Sequence, residues 1–133
     1  MLVSDIIVWS GPLTELQWDT LIPSKATGQY YDDVTALLPG VHDFYHHYEV
    51  PGLAHCFGGK SGQPSSLFEQ LRAWVENGTA PAHTPVNVTV LDGTTQHRII
   101  CPYPQKVNFD EDGCENDADA SCWSCADASS AAN

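Results

Sequence analysis

The feature that most restricts how this chain folds is a switch between two hydrophobic periods along Ile6 to Gly78. Ile6-Ile7-Val8-Trp9 is an unbroken apolar run closed by Gly11 and Pro12, the pattern of a strand buried on both faces. Residues 26–38 then change to a 3.6-residue period. Tyr30, Tyr31, Val34, Leu37 and Leu38 share one face of a predicted helix that Pro39-Gly40 stops. Phe44 to Val50, aromatic and β-branched, predicts a second strand that ends at Pro51-Gly52. A glycine-rich loop runs from Gly52 to Gly62, and Leu67, Phe68, Leu71, Trp74 and Val75 form the apolar stripe of a second helix. Ser66 and Glu69 have the spacing of a capping box, and Asn77-Gly78 supplies the C-terminal stop. Strand, helix, strand, loop, helix is a βαβα order, which implies an α/β fold with a parallel sheet. Beyond Pro85, Val86 to Leu91 and Arg98 to Ile100 alternate as a hairpin around Asp92-Gly93. From Cys101 onward the pattern reads as an irregular, cysteine-rich tail.

A length of 133 residues fits one domain or a piece of one. The net charge of −12, with only five basic residues, excludes nucleic acid and anionic membranes as partners, because both require a clustered positive field. No apolar run approaches the roughly 20 residues of a membrane span. The acidic residues between Asp110 and Asp119 read as a solvated stretch and lack the spacing of a calcium loop. Five cysteines and two sequons, Asn77-Gly78-Thr79 and Asn87-Val88-Thr89, favour a secreted glycoprotein in an oxidising setting. Yet Asp5 interrupts the apolar start and no basic segment precedes it, so no signal peptide is read. Together with the odd cysteine, this leads to the expectation that an N-terminal part is missing.

In an open parallel sheet, functional groups gather on loops at the C-terminal ends of strands. Two such loops carry Asp19 and His55, a carboxylate and a base of the kind that a hydrolase needs. The chain order Ser, Asp, His of α/β-hydrolases would put the nucleophile upstream of Asp19. Gly-x-Ser-x-Gly does not occur, and Ser61 and Ser66 follow the histidine. A single loop histidine is, on spacing alone, more often a surface residue. Asp5 is a weaker carboxylate candidate, expected before the first strand at the wrong sheet edge. His46 and His47 alternate across a strand, so they are not expected to share a metal; with His42 they read as sheet-edge or surface residues. Cys122-x-x-Cys125, with Cys114, has zinc-ligand spacing, but no second pair completes a tetrahedral set.

Five ordered motifs bring a family into view. Pro51-Gly52-Leu53-Ala54-His55-Cys56-Phe57-Gly58-Gly59 resembles the Pro-Gly-x-x-His-Cys-x-Gly-Gly stretch of tannases and feruloyl esterases. Trp74-Val75-Glu76-Asn77-Gly78-Thr79-Ala80-Pro81 is similar to their helix end, and Cys101-Pro102-Tyr103-Pro104 to their late Cys-Pro-Tyr-Pro. Trp18-Asp19-Thr20 with Tyr30-Tyr31 resembles the segment of the triad aspartate, and Asn116-Asp117-Ala118 with Trp123-Ser124-Cys125 the closing motifs. The resemblance implies the C-terminal βαβα portion of an α/β-hydrolase sheet over residues 1–100, followed by a disulfide-stapled acidic segment over 101–133. It implies His55 as catalytic base, Asp19 as its orienting carboxylate, and small-molecule phenolic acid esters as substrates. It also implies that Cys56 pairs with an absent cysteine beside the absent serine. A staple of Cys101 with Cys125 is implied likewise, leaving Cys114 with Cys122. The family's calcium belongs to a lid domain with no counterpart in this sequence, so no metal or cofactor is expected here. One departure stands out: Pro12 to Trp18 separate Gly11 from Asp19, where the family has a short Gly-x-x-Asp turn. The competing reading is a small, acidic, disulfide-stapled secreted module that binds a partner and catalyses nothing.

Overall fold

The computed structural model describes residues 5–9, 24–53 and 61–127. Strand β1 (Asp5–Trp9) and strand β2 (Tyr45–Glu49) are parallel neighbours, and helix α1 (Ser24–Leu37) lies between them in the chain. The register runs from Asp5 opposite Tyr45 to Trp9 opposite Glu49, so Asp5 belongs to β1 itself, at its N-terminal end. Helix α2 (Leu67–Asn77) follows, and then an antiparallel hairpin of β3 (Thr84–Thr89) and β4 (Thr95–Ile100). The hairpin turn contains Gly93 at φ +86°, a conformation that glycine adopts without steric cost.

Both faces of β2 are covered. Tyr45 and His47 pack on Tyr31 of α1, at ring separations of 5.0 and 5.4 Å. On the other face His46 stacks against Trp74 of α2 at 4.3 Å. Tyr48 and Val50 join Leu53, Val86 and Ile100 in a buried cluster. This corrects the expectation that His46 and His47 lie at an edge or on the surface: they are 9% and 0% exposed. Their alternation was read as expected, but two helices close over the two faces, and a neutral imidazole among rings fills such a site as a tyrosine would. The outer edge of β2 is capped too, by a Tyr48–Pro102 bridge and a Tyr103 N–H donating to the His47 carbonyl at 2.8 Å.

The helix faces are narrower than their stripes. Tyr31 is buried and Val34 partly so, while Tyr30, Leu37 and Leu38 are exposed. In α2 only Trp74 is buried, and Phe68 and Val75 face outward. The capping box is not formed: Ser66 has helical backbone angles and makes no side-chain cap bond, so the helical turn simply begins earlier. The C-terminal stop is as read, with Gly78 left-handed and its N–H donating to the Trp74 carbonyl at 3.0 Å.

The segment after Cys101 is more regular than the irregular tail expected. Strands β5 (Lys106–Phe109) and β6 (Trp123–Ala126) form an antiparallel pair. Cys101 is bonded to Cys125 and Cys114 to Cys122, with Cα separations of 5.7 and 5.8 Å. Those bonds occupy the thiols of the zinc alternative, which is thereby removed. The disulfides and Arg98, over the Trp123 ring at 4.2 Å and paired with Asp117 at 2.8 Å, assemble short strands whose own patterns are weak. Acidic residues here build turns. Asp119 accepts from the Ser121 N–H and hydroxyl, and Asp110 from the Gly113 N–H.

Candidate functional site

Because β1 and β2 are adjacent and parallel, their C-terminal ends lie at the same edge of the sheet. In the sequence, residues 10–23 and 50–61 follow those two ends and are the expected homes of Asp19 and His55. Asp19, His55 and Cys56 lie outside the described residues, so the structure neither brings them together nor separates them. What it does describe is the stem on which the 54–60 segment stands.

The stem begins with a tight turn. Pro51 occupies the second position and Gly52, at φ +80°, the third, and the Leu53 N–H donates to the Val50 carbonyl at 3.3 Å. Proline presets the negative φ and glycine the positive one, the chemistry of a type II turn. Leu53 then dives into the core beside Tyr48, Val50, Val86 and Ile100, at 6% exposure. Burying a leucine there gains about 1.5–3 kcal/mol, which anchors the outgoing limb two residues before His55. The returning limb is tied at Ser61, whose N–H donates to the Gly52 carbonyl at 3.3 Å. A groove of about 1330 Å³ opens beside the stem, walled by Val50, Val86, Val88, Ile100, Val107 and Trp123.

Electrostatically, β2 supplies no charge from its buried histidines. Burial pushes the His47 pKa below its usual value, outweighing Glu49, whose Oε1 is 4.0 Å from Nε2, and Asp32. His46 is lowered as well, by burial, which outweighs the opposing backbone hydrogen bond with His42. Burial also pushes the Tyr31 hydroxyl up to about 12 and raises Tyr48 and Tyr103. Tyr31 lies 2.8 Å from His42 Nδ1 and donates to the Tyr45 carbonyl at 3.1 Å. Tyr31, His47 and Tyr48 are almost fully enclosed, at 1%, 0% and 0% exposure, and make β2 an aromatic part of the core. Among the described residues no group of three or more His, Cys, Asp or Glu side chains is arranged to hold a metal ion. No described helix is long and apolar enough to cross a membrane.

The sequon asparagines are both exposed. Asn77 ends α2, and Asn87 sits on β3 with its side-chain Oδ1 2.8 Å from His97 Nδ1. The stem residues beyond Pro51-Gly52, Leu53 with Ser61 and Gly62, carried no sequence signal for their role, because it depends on contacts with β3 and β4.

Comparison with known proteins agrees with this layout. The chain is 31% identical over 102 residues to a mono(2-hydroxyethyl) terephthalate hydrolase of Piscinibacter sakaiensis, covering 71% of this chain and 16% of that protein. It is 31% identical over 104 residues to a tannase of Aspergillus oryzae, covering 66% and 17%. The chain thus spans about a sixth of the length of these curated relatives. The crystal structure of feruloyl esterase B from Aspergillus oryzae superposes with a TM-score of 0.66 at 20% identity, over 90% of this chain and 26% of that one. A family model described as tannase and feruloyl esterase matches residues 6–126. With both strand-end segments inside that match, the chain belongs to the tannase and feruloyl esterase family.

Proposed function

We propose that this chain supplies the acid–base half of an α/β-hydrolase serine esterase that cleaves phenolic acid esters, such as galloyl or feruloyl esters. The observation that supports the reading is the parallel β1–β2 pair, whose C-terminal ends share one sheet edge and are followed in the sequence by the Asp19 and His55 segments, within the family match. A serine outside this sequence attacks the ester carbonyl while His55 takes its proton. His55 then delivers that proton to the leaving alcohol, and water, activated by the same imidazole, releases the acid and frees the serine. Asp19 holds the imidazole in the productive tautomer. Cys56 bridges to a cysteine beside the serine and keeps nucleophile and base within reach, since a disulfide holds two Cα atoms about 4.4–6.8 Å apart. The two disulfides and the exposed Asn77 and Asn87 suit an extracellular glycoprotein. Family membership across residues 6–126 favours this reading over a non-catalytic module.

The test is a chimera in which this chain replaces the matching C-terminal part of Aspergillus oryzae feruloyl esterase B, assayed on methyl ferulate and methyl gallate. A folded chimera is expected to hydrolyse at least one ester. His55→Ala is expected to lower kcat by about 10³-fold or more. A chimera that keeps its kcat after His55→Ala overturns the assignment.

A further inference from the structure

We propose that Gly62 is a positioning residue for the loop that carries His55: its bare Cα lets the returning limb lie directly on the backbone of β3. This rests on the reading of His55 as the base. A Cβ built on Gly62 would overlap the Asn87 carbonyl oxygen and come within 2.7 Å of its carbon and 3.3 Å of the Asn87 nitrogen. All three are main-chain atoms, so no side chain can rotate away to make room. Asn87 is itself fixed in the ladder opposite His97. Gly28 and Gly93 differ from it, and at Gly113 a Cβ would meet only the side chain of Asp110. A Cβ on Gly28 meets only Glu49 Oε1 at 4.0 Å, and one on Gly93 meets nothing within 4 Å.

Gly62 adjoins Ser61, whose N–H closes the stem onto Gly52. The outgoing limb is held by Leu53 in the cluster with Val86 and Ile100, so both limbs rest on the β3–β4 hairpin. The hairpin is held in turn, because β4 runs into Cys101 and its bond to Cys125. The two limbs at the base of the segment that carries His55 are therefore held by the hairpin. A side chain at Gly62 lifts the returning limb off β3 and opens the Ser61–Gly52 bond at the base of the segment that carries His55. Misplacement by about 1 Å is enough to cost a catalytic group most of its effect.

The experiment uses the whole 133-residue chain, with hydrogen exchange and histidine NMR of Gly62→Ala and, as control, Gly28→Ala. Gly62→Ala is expected to speed exchange of the Ser61 amide about tenfold or more. It is also expected to shift or broaden the His55 imidazole signals while leaving exposed His83 and the β5–β6 amides unmoved. The control changes neither. Unchanged Ser61 exchange overturns the clamp, and altered Ser61 exchange with an unmoved His55 overturns its positioning role. Should Gly62→Ala fail to fold, the parent chain is measured in increasing denaturant. There Ser61 is expected to open together with the β3–β4 amides, and independent opening overturns the clamp. None of these readouts requires turnover, so they remain decisive even if the chimera shows that His55 is not the base.

Discussion

Leu53→Ala tests whether the stem is anchored by core packing. Leu53 is 6% exposed and lies two residues before His55. Truncation removes three carbons from the cluster, about 2.5 kcal/mol at roughly 0.8 kcal/mol per buried methylene. Tyr48, Val86 and Ile100 belong to strands or their partners and cannot collapse fully into the space, so the residual cavity raises the cost to about 3–4 kcal/mol. Leu91, by contrast, is 97% exposed at the hairpin turn. Leu91→Ala is expected to cost less than about 0.5 kcal/mol. Urea unfolding followed by tryptophan fluorescence reads both. With a slope near 2 kcal/mol/M, the midpoint should fall by about 1.5 M for Leu53→Ala and by about 0.25 M at most for Leu91→Ala. Because Leu53 and Val86 share one cluster, the double variant with Val86→Ala should cost less than the two single changes added together. Equal midpoint shifts for Leu53→Ala and Leu91→Ala would refute the anchoring argument.

The depressed His46 and His47 pKa values make stability pH-dependent. In the unfolded chain these groups bind protons near pH 6.5, above their folded values, so stability is full above that pH and falls as pH drops below it. Urea midpoints between pH 7.5 and 5 should show this fall, and His47→Phe should flatten it; a pH-independent midpoint contradicts the burial argument. The two disulfides should rank by the loop each closes. Chain separations of 24 and 8 residues correspond to about 3.5 kcal/mol for Cys101–Cys125 and about 2.5 kcal/mol for Cys114–Cys122 on chain-entropy grounds. Paired Cys→Ser variants compared by thermal unfolding check this, and a larger loss from the shorter loop reverses it.

The order β1, α1, β2, α2, β3, β4 was legible because each element obeys a local rule: an unbroken apolar run, a 3.6-residue stripe, a Pro-Gly or Asn-Gly stop. Where several solutions satisfy the local rule, legibility ended. Ser66 and Glu69 fit a capping box, yet the chain entered the helix one residue early, with Ser66 already helical. Lys106–Phe109 and Trp123–Ala126 alternate too weakly to announce strands, and they pair because two disulfides and Arg98 hold them. Residue types and motif likeness pointed to His55 and Asp19, whereas the residues that support the His55 segment could not be read from the sequence.

The sequence by itself determined the strand–helix–strand order, the acidic surface and the family motifs, because composition and short-range periodicity are properties of neighbours along the chain. Only the tertiary structure decided that His46 and His47 are core rather than surface. Their alternation is the same in either case, and burial depends on side chains of two helices, Tyr31, 16 residues before His47, and Trp74, 28 residues after His46. It alone, too, placed Gly62 against Asn87, since the space beside a glycine is set by a strand that comes 25 residues later.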